Sequence, residues 1–294
     1  MVNTAKINHA NSNPRELFVT QKLIHLRYIK YGDIESSILH HWFIANKLTL
    51  NLSKTKFMLF SKKRLKKTKE KKFRLNINNF NIKQVSEFKY LGVILDNKLN
   101  WHEHIQYLST KLAKAAGIIY KLRNKMPQNV LMLLYHSLVG TYLRYGIASW
   151  GSAKTNALTK LQNLQNKVVR YITHSGPLTN IDHQYKKLNI LKINEHYFQE
   201  VSKFMFRNNK KTLPAAFDQY FSQINHCHST RMKQRSKFTL PLIRTDMGKQ
   251  SIKYSGVKIW SLVPSDIKAA PSLESFSAQI KDFLVNNGVS NNMQ

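Results

Sequence analysis

The chain is poor in three things that would each have pointed to a different kind of protein. It has one cysteine, Cys227, so no disulfide can form within it, and the expected compartment is reducing. It has no run near the roughly eighteen apolar residues needed to span a bilayer. Residues Met1 to Pro14 are polar and Asn-rich, without the basic and apolar regions of a secretory signal, so an intracellular protein, nuclear or cytoplasmic and not secreted, is expected. Acidic residues are the third scarcity, with 15 Asp and Glu against 47 Lys and Arg. They are also scattered, and no two Asp residues are adjacent anywhere.

What the 294 residues do contain argues for a folded, cationic protein. A hydrophobic fraction of 42%, with 11% aromatic residues, is enough for one large or two ordinary cores. The formal charge of +32 costs self-repulsion in a compact state, and a polyanion relieves it. RNA and DNA are therefore the first partners to consider, with an anionic membrane surface second. A coding bias toward Lys and Asn would raise basicity without any partner. Composition leaves the oligomeric state open.

Periodicity predicts an α+β, mostly helical fold. Residues 1–33 form an unassigned N-terminal segment in which 23–31 reads as a short helix or strand. Ile34, Ile38, Leu39 and Trp42 fall at helical steps. Lys56 to Phe60 and Phe73 to Ile77 read as strands flanking a charged loop, in the manner of a hairpin, and Phe80 to Asp96 as two more strands. From Trp101 the period becomes helical. Ile105, Leu108, Leu112, Ala115, Ile119 and Leu122 make one stripe, and Val130, Leu134, Leu138 and Tyr142 a second helix opened by Pro127. Leu158 to Ile172 gives the third, completing a bundle over 101–175. In the region 176–294, His196 to Arg207 reads as a helix, 240–244 and 251–254 as strand-like pieces, and 272–285 as a helix capped by Ser272.

Two local clusters carry chemical possibilities. Lys62 to Arg74 holds nine basic residues and one acid, Glu70. Lys62, Lys63, Arg64, Lys66, Lys67, Lys69, Lys71 and Lys72 cannot be buried, so the segment is a solvated loop, a polyanion contact or a nuclear-targeting signal. His226, Cys227 and His228 are the one metal-like cluster. Adjacent residues point in alternating directions and no second cysteine supplies a fourth ligand, so no metal site is expected.

Three blocks in fixed order identify a resemblance. They are Trp42 to Leu48 leading to Leu50-Asn51-Leu52-Ser53-Lys54-Thr55, then Phe88-Lys89-Tyr90-Leu91-Gly92-Val93, then Tyr145-Gly146 followed by Trp150. The C-terminal third adds Thr230-Arg231, Arg244-Thr245, and Ile252, Tyr254 and Gly256 leading to Ile259-Trp260 and Pro264. Together these resemble the end of the palm, the thumb and the C-terminal region of the reverse transcriptases of non-LTR (LINE-type, jockey-like) retrotransposons. The family usually has Asn after that Trp, where this chain has Ser261.

The resemblance implies a small antiparallel palm-remnant sheet within 34–100, a helical thumb over 101–175 and a mixed C-terminal region over 176–294. It implies that Lys89, Tyr90, Leu91 and Gly92 form the hairpin gripping the primer end, where a tight turn lets backbone approach sugar-phosphate. An ordinary strand with a glycine bulge is the competing reading. Lys54 matches a lysine that approaches the incoming nucleotide, a vestigial general acid or simply a solubilising charge. The family's polymerases use Mg2+ held by an Asp pair in a Phe/Tyr-Ala-Asp-Asp turn. Here Tyr31-Gly32-Asp33-Ile34 offers one carboxylate, too close to Trp42 for the intervening strand and helix. These residues are therefore expected to need no cofactor, to have no catalytic set, and to bind RNA and DNA without polymerising. A non-enzymatic basic binding or scaffold protein is the alternative.

Overall fold

A computed structural model describes residues 41–47, 51, 54–60, 75–77, 80–222 and 238–288, and the backbone alone of 16–20 and 24–26. The chain divides into two compact units, 1–100 and 101–294. The fold is α+β and mostly helical.

The first unit holds seven described strands: β1 (Glu16–Thr20), β2 (Ile24–Leu26), β3 (Lys56–Phe60), β4 (Leu75–Ile77), β5 (Phe80–Gln84), β6 (Glu87–Tyr90) and β7 (Val93–Asp96). The first five form one sheet in the order β2-β1-β3-β5-β4, antiparallel except where β3 runs parallel to β5. The expected hairpin between β3 and β4 is not made, because β5 lies between them. Phe80 to Asp96 yields three strands rather than two, since Val85 and Ser86 break the run before β6. Burial follows period two on β4, where Leu75 and Ile77 are buried and Asn76 is exposed. On interior β3 the adjacent Phe57 and Met58 are both buried. The helix at 41–45 is formed as expected, but it buries Phe43 and leaves Trp42, the one described member of the expected stripe, exposed.

The second unit contains eleven described α-helices: α1 (His102–Leu122), α2 (Gln128–Tyr135), α3 (Thr141–Arg144), α4 (Ile147–Trp150), α5 (Thr155–Thr173), α6 (Asp182–Lys187), α7 (Ile193–Asn209), α8 (Asp246–Lys249), α9 (Ile252–Leu262), α10 (Ser265–Lys268) and α11 (Leu273–Asn287). The apolar stripe of α1 is as the sequence predicts, with Ile105, Leu108, Leu112, Ala115 and Ile119 buried against α5, whose Leu161, Val168 and Ile172 face it. Each such fully buried aliphatic side chain contributes about 1.5–3 kcal/mol of transfer free energy.

The second helix departs from expectation by one residue. Leu131, Tyr135, Val139 and Leu143 are fully buried, whereas Leu134 and Leu138 are half-buried. The cause is a π-helical turn, His136–Gly140, inserted between α2 and α3. In a regular α-helix a four-residue step overshoots one turn by about 40°, so residues repeating every four positions drift off a face. A wider π turn takes back that rotation and keeps the four on one side. Both stripes are apolar, so periodicity at 3.6 chose the wrong one.

A second core joins α7, α9 and α11 through Phe198, Val201, Met205, Trp260, Phe276 and Ile280, with the Phe206 and Phe276 rings stacked at 4.4 Å. Helix α7 also packs on α4 and α5, linking the two cores. The strand-like reading of 251–254 fails because Ile252 to Tyr254 are the first turn of α9. Residues 240–244 form no strand. Gly256 explains why glycine stands in this helix: a Cβ there would lie 2.9 Å from Met205 Sδ on α7. Helix α11 is capped as predicted, with Ser272 Oγ accepting from Ser275 N–H.

Candidate nucleic-acid interface

The β6–β7 hairpin is built by a two-residue turn. Phe88 pairs with Leu95, Lys89 with Ile94, and Tyr90 with Val93, leaving Leu91 and Gly92 as the link. Both have positive φ, 44° and 84°, as in the type I′ turn whose twist matches paired strands. This settles turn over bulge at Gly92. Glycine is at ease in that conformation, but leucine is not, and holding one there costs on the order of 1–2 kcal/mol. Asn or Gly would form the turn without that cost. The leucine is moreover 72% exposed, so burial does not offset the strain.

Charge and aromatic surface alternate along the hairpin. Lys89 is exposed, while Phe88 and Tyr90 are half-buried on the other face. Lys56 Nζ of β3 lies 5.8 Å from the centre of the Phe88 ring. Asp96, a buried carboxylate at the end of β7, accepts hydrogen bonds from the backbone N–H groups of Lys98 and Asn100 at 3.0–3.2 Å. That carboxylate closes a turn.

Lys54 is exposed in the turn before β3, which is an interior strand. The turn is set by Asn51, whose Oδ1 accepts from the Lys54 N–H at 3.1 Å and whose carbonyl accepts from the Thr55 hydroxyl at 2.7 Å. The basic residues Lys62, Lys63, Arg64, Lys66, Lys67, Lys69, Lys71 and Lys72 lie outside the described residues, as do Asp33, the His226-Cys227-His228 cluster and Thr230-Arg231. The anchors of the basic segment are nevertheless placed by strand register. It leaves β3 at Phe60 and rejoins at Leu75 of β4, two strands away and about five residues back along the sheet. That separation is roughly 20 Å. Fourteen residues reach about 46 Å, so closing the connection does not account for the segment's length.

A two-metal centre does not fit these groups. Among the described residues no three His, Cys, Asp or Glu side chains gather at one point. Of the two carboxylates at the open end of the hairpin, Asp96 is committed to its turn and Glu87 is exposed.

In the helical unit the family-like blocks prove to be packing devices. Trp150 is fully buried, donates from Nε1 to the Tyr145 carbonyl at 2.9 Å, and meets the edge of His104 at 5.6 Å. Tyr145 and Gly146 thus turn the chain from α3 into α4, and the indole satisfies the carbonyl left over at the helix end. Sequence reasoning missed a buried polar junction nearby. Gln165 Nε2 donates to Tyr135 Oη and to the Leu191 carbonyl, both at 2.8 Å, and burial pushes the Tyr135 phenol up to about 12. A single Gln inside an apolar stripe was its one sequence signal.

Over 95 residues the chain is 34% identical to a probable RNA-directed DNA polymerase from transposon X-element of Drosophila melanogaster, a match covering 31% of this chain and 10% of that protein. Over 139 residues it is 29% identical to the RNA-directed DNA polymerase from mobile element jockey of the same organism, covering 46% of the chain and 15% of that protein. The jockey polymerase of Drosophila funebris is 33% identical over 103 residues, 34% of this chain and 11% of its own length. The chain is a relative of the jockey-like retrotransposon polymerases. The matches span 10% to 15% of those relatives' lengths. No protein-family model and no solved structure matches it. No described helix is long and apolar enough to cross a membrane.

Proposed function

We propose that these residues are the last palm strands, thumb and C-terminal region of a jockey-like reverse transcriptase, and that they bind primer–template nucleic acid inside the cell without polymerising by themselves. The observation that carries this is the β6–β7 hairpin: a strained, exposed Leu91 at the tip of a glycine turn, flanked by Lys89 and Tyr90, in a block that resembles the family's primer grip. Strain at a solvent-facing tip persists where the tip has work to do. The 62–74 segment supplies phosphate contacts without base specificity, and Lys54 stands where the family's nucleotide-facing lysine does. The Asp pair that holds Mg2+ in the family is not among these residues, so the chain supplies binding and not catalysis.

The test has two arms. With Mg2+ or Mn2+, a primed RNA template and nucleotides, no extension above background is expected; incorporation abolished by Asp33→Asn would overturn the assignment of the palm. In a binding assay the protein should prefer a recessed primer end over a blunt duplex of equal charge. Leu91→Asn should remove that preference while raising hairpin stability by about 1 kcal/mol through relief of the turn. Equal binding to both ends would leave a generic basic binder.

A further inference from the structure

The region between His104 and Ile181 contains ten Lys and Arg and no Asp or Glu. The fold gathers part of this charge at one place, where the ends of α1 and α5 enclose a cleft of about 520 Å³ lined by Arg123, Lys167, Arg170, Tyr171, His174 and Ser175. A cleft of that size suits a small ligand or one or two units of a polymer.

Cations at helix C-termini are ordinarily explained by the helix dipole, and here that explanation falls short. Two helix ends contribute roughly half a negative charge each. Against them stand three permanent cations, leaving roughly two positive charges unbalanced, with no carboxylate among the described lining residues.

The groups are also arranged for use. Tyr120 and Tyr171 meet edge to face at 5.0 Å, and the Arg123 guanidinium lies 3.9 Å from the centre of the first ring and 5.7 Å from the second. That stacking fixes the plane of the guanidinium and leaves its N–H edge for an acceptor. Arg170 reaches the Thr179 carbonyl through one terminal nitrogen at 3.4 Å, while its buried Nε has no partner among the described residues. A buried donor left unpaired is destabilising unless something accepts from it.

We propose that this cleft is a binding site for single-stranded nucleic acid, in which Arg123, Lys167 and Arg170 hold backbone phosphates and Tyr171 faces an unpaired base. A duplex keeps its bases stacked on each other and cannot offer one to a tyrosine face, whereas a single strand can. The site lies wholly within the helical unit and does not depend on the hairpin or on the polymerase reading.

The test uses the full chain and a single-stranded RNA carrying 5-iodouridine. Irradiation followed by peptide mapping should place a cross-link on Tyr171. Arg123→Gln with Arg170→Gln should remove it, weaken binding about tenfold near physiological salt, and make the salt slope shallower by about 1.4. Lys154→Gln with Lys160→Gln removes the same charge from the N-terminal end of α5, outside the cleft, and should keep the cross-link. Arg123→Lys, which keeps the charge but not the planar fork, should lose most of the effect of Arg123, and thermal melting shows that each variant is folded. Equal losses from the two Gln pairs, or a cross-link confined to other residues, would reduce the cleft to a solvated cationic face. Recessed-end preference, the hairpin's readout, is unaffected by that outcome.

Discussion

The register of the second helix can be tested by two leucines three residues apart. The sequence stripe puts Leu134 in the core, whereas the π turn puts Leu131 there, fully buried, with Leu134 half-buried. Truncating Leu131 to Ala removes a side chain enclosed by α1 and α5 and leaves a cavity, at a cost of about 2–5 kcal/mol. Leu134 keeps part of its surface in water and its site can relax, so its truncation should cost about half as much. In a unit of this size about 3 kcal/mol lowers Tm by roughly 6–12 °C, well outside measurement error. Urea unfolding followed by circular dichroism at fixed ionic strength measures both variants, and equal slopes would show that midpoint shifts report native stability. If Leu134→Ala cost as much as Leu131→Ala, or more, the π turn and the four-residue repeat it supports would be refuted.

Two further outcomes follow from charge. Replacing Lys66, Lys67, Lys71 and Lys72 with Gln should weaken nucleic-acid binding and flatten the salt slope by about 0.7–0.9 for each phosphate no longer neutralised, and an unchanged slope would remove the 62–74 segment from the interface. Burial holds the imidazole of His196 down to about 3, aided by Arg144, Lys281, Lys203 and His136. The folded state therefore binds fewer protons than the unfolded state below pH 6.5, so stability is complete above that pH and falls by about 1.4 kcal/mol per unit as the solution is acidified toward the folded value. Urea titrations at pH 7.5 and 5.5 should show that loss in the natural protein and a smaller one in His196→Gln; parallel pH dependences would place the acid sensitivity elsewhere.

How much of this was legible from residues alone depended on whether one physical signal dominated. The stripes of α1 and α5 were readable because each carries a single apolar face, and the α11 cap because Ser272 stands at the head of such a stripe. The second helix was not, since its apolar faces compete and a π turn decides between them. Strand order failed for a related reason: β4 alternates as a strand should and β3 is apolar enough to be one, but periodicity contains nothing about a third strand entering between them. The 251–254 segment misled because its β-branched and aromatic residues suit a strand locally, while Val257 and Trp260, a turn and more away, commit it to a helix. At the candidate interface the turn could be read from Gly92, but the strain could not, because only backbone geometry shows that Leu91 shares the positive φ.

The distribution of charge, more than its total, separates binding surface from background. A coding bias toward lysine would scatter cations and leave acids beside them in proportion, giving ordinary pairs such as Lys192 with Asp182 at 2.8 Å. That pattern holds in the C-terminal part of the helical unit, where acids recur from Asp182 to Asp282. It fails in the 62–74 segment and over 104–181, the two stretches where cations accumulate almost without acids. In the second of these the excess charge costs folding energy through repulsion, yet the hydrophobic core beneath it is complete, with Leu112, Ile119, Leu161 and Val168 fully enclosed. A core that strong tolerates a surface the fold itself does not need. The unpaired Arg170 Nε and the ring-held Arg123 show the same asymmetry atom by atom: donors are positioned, and the stretch of sequence that builds the cleft supplies no carboxylate to satisfy them. A polyanion is the acceptor proposed for such a surface.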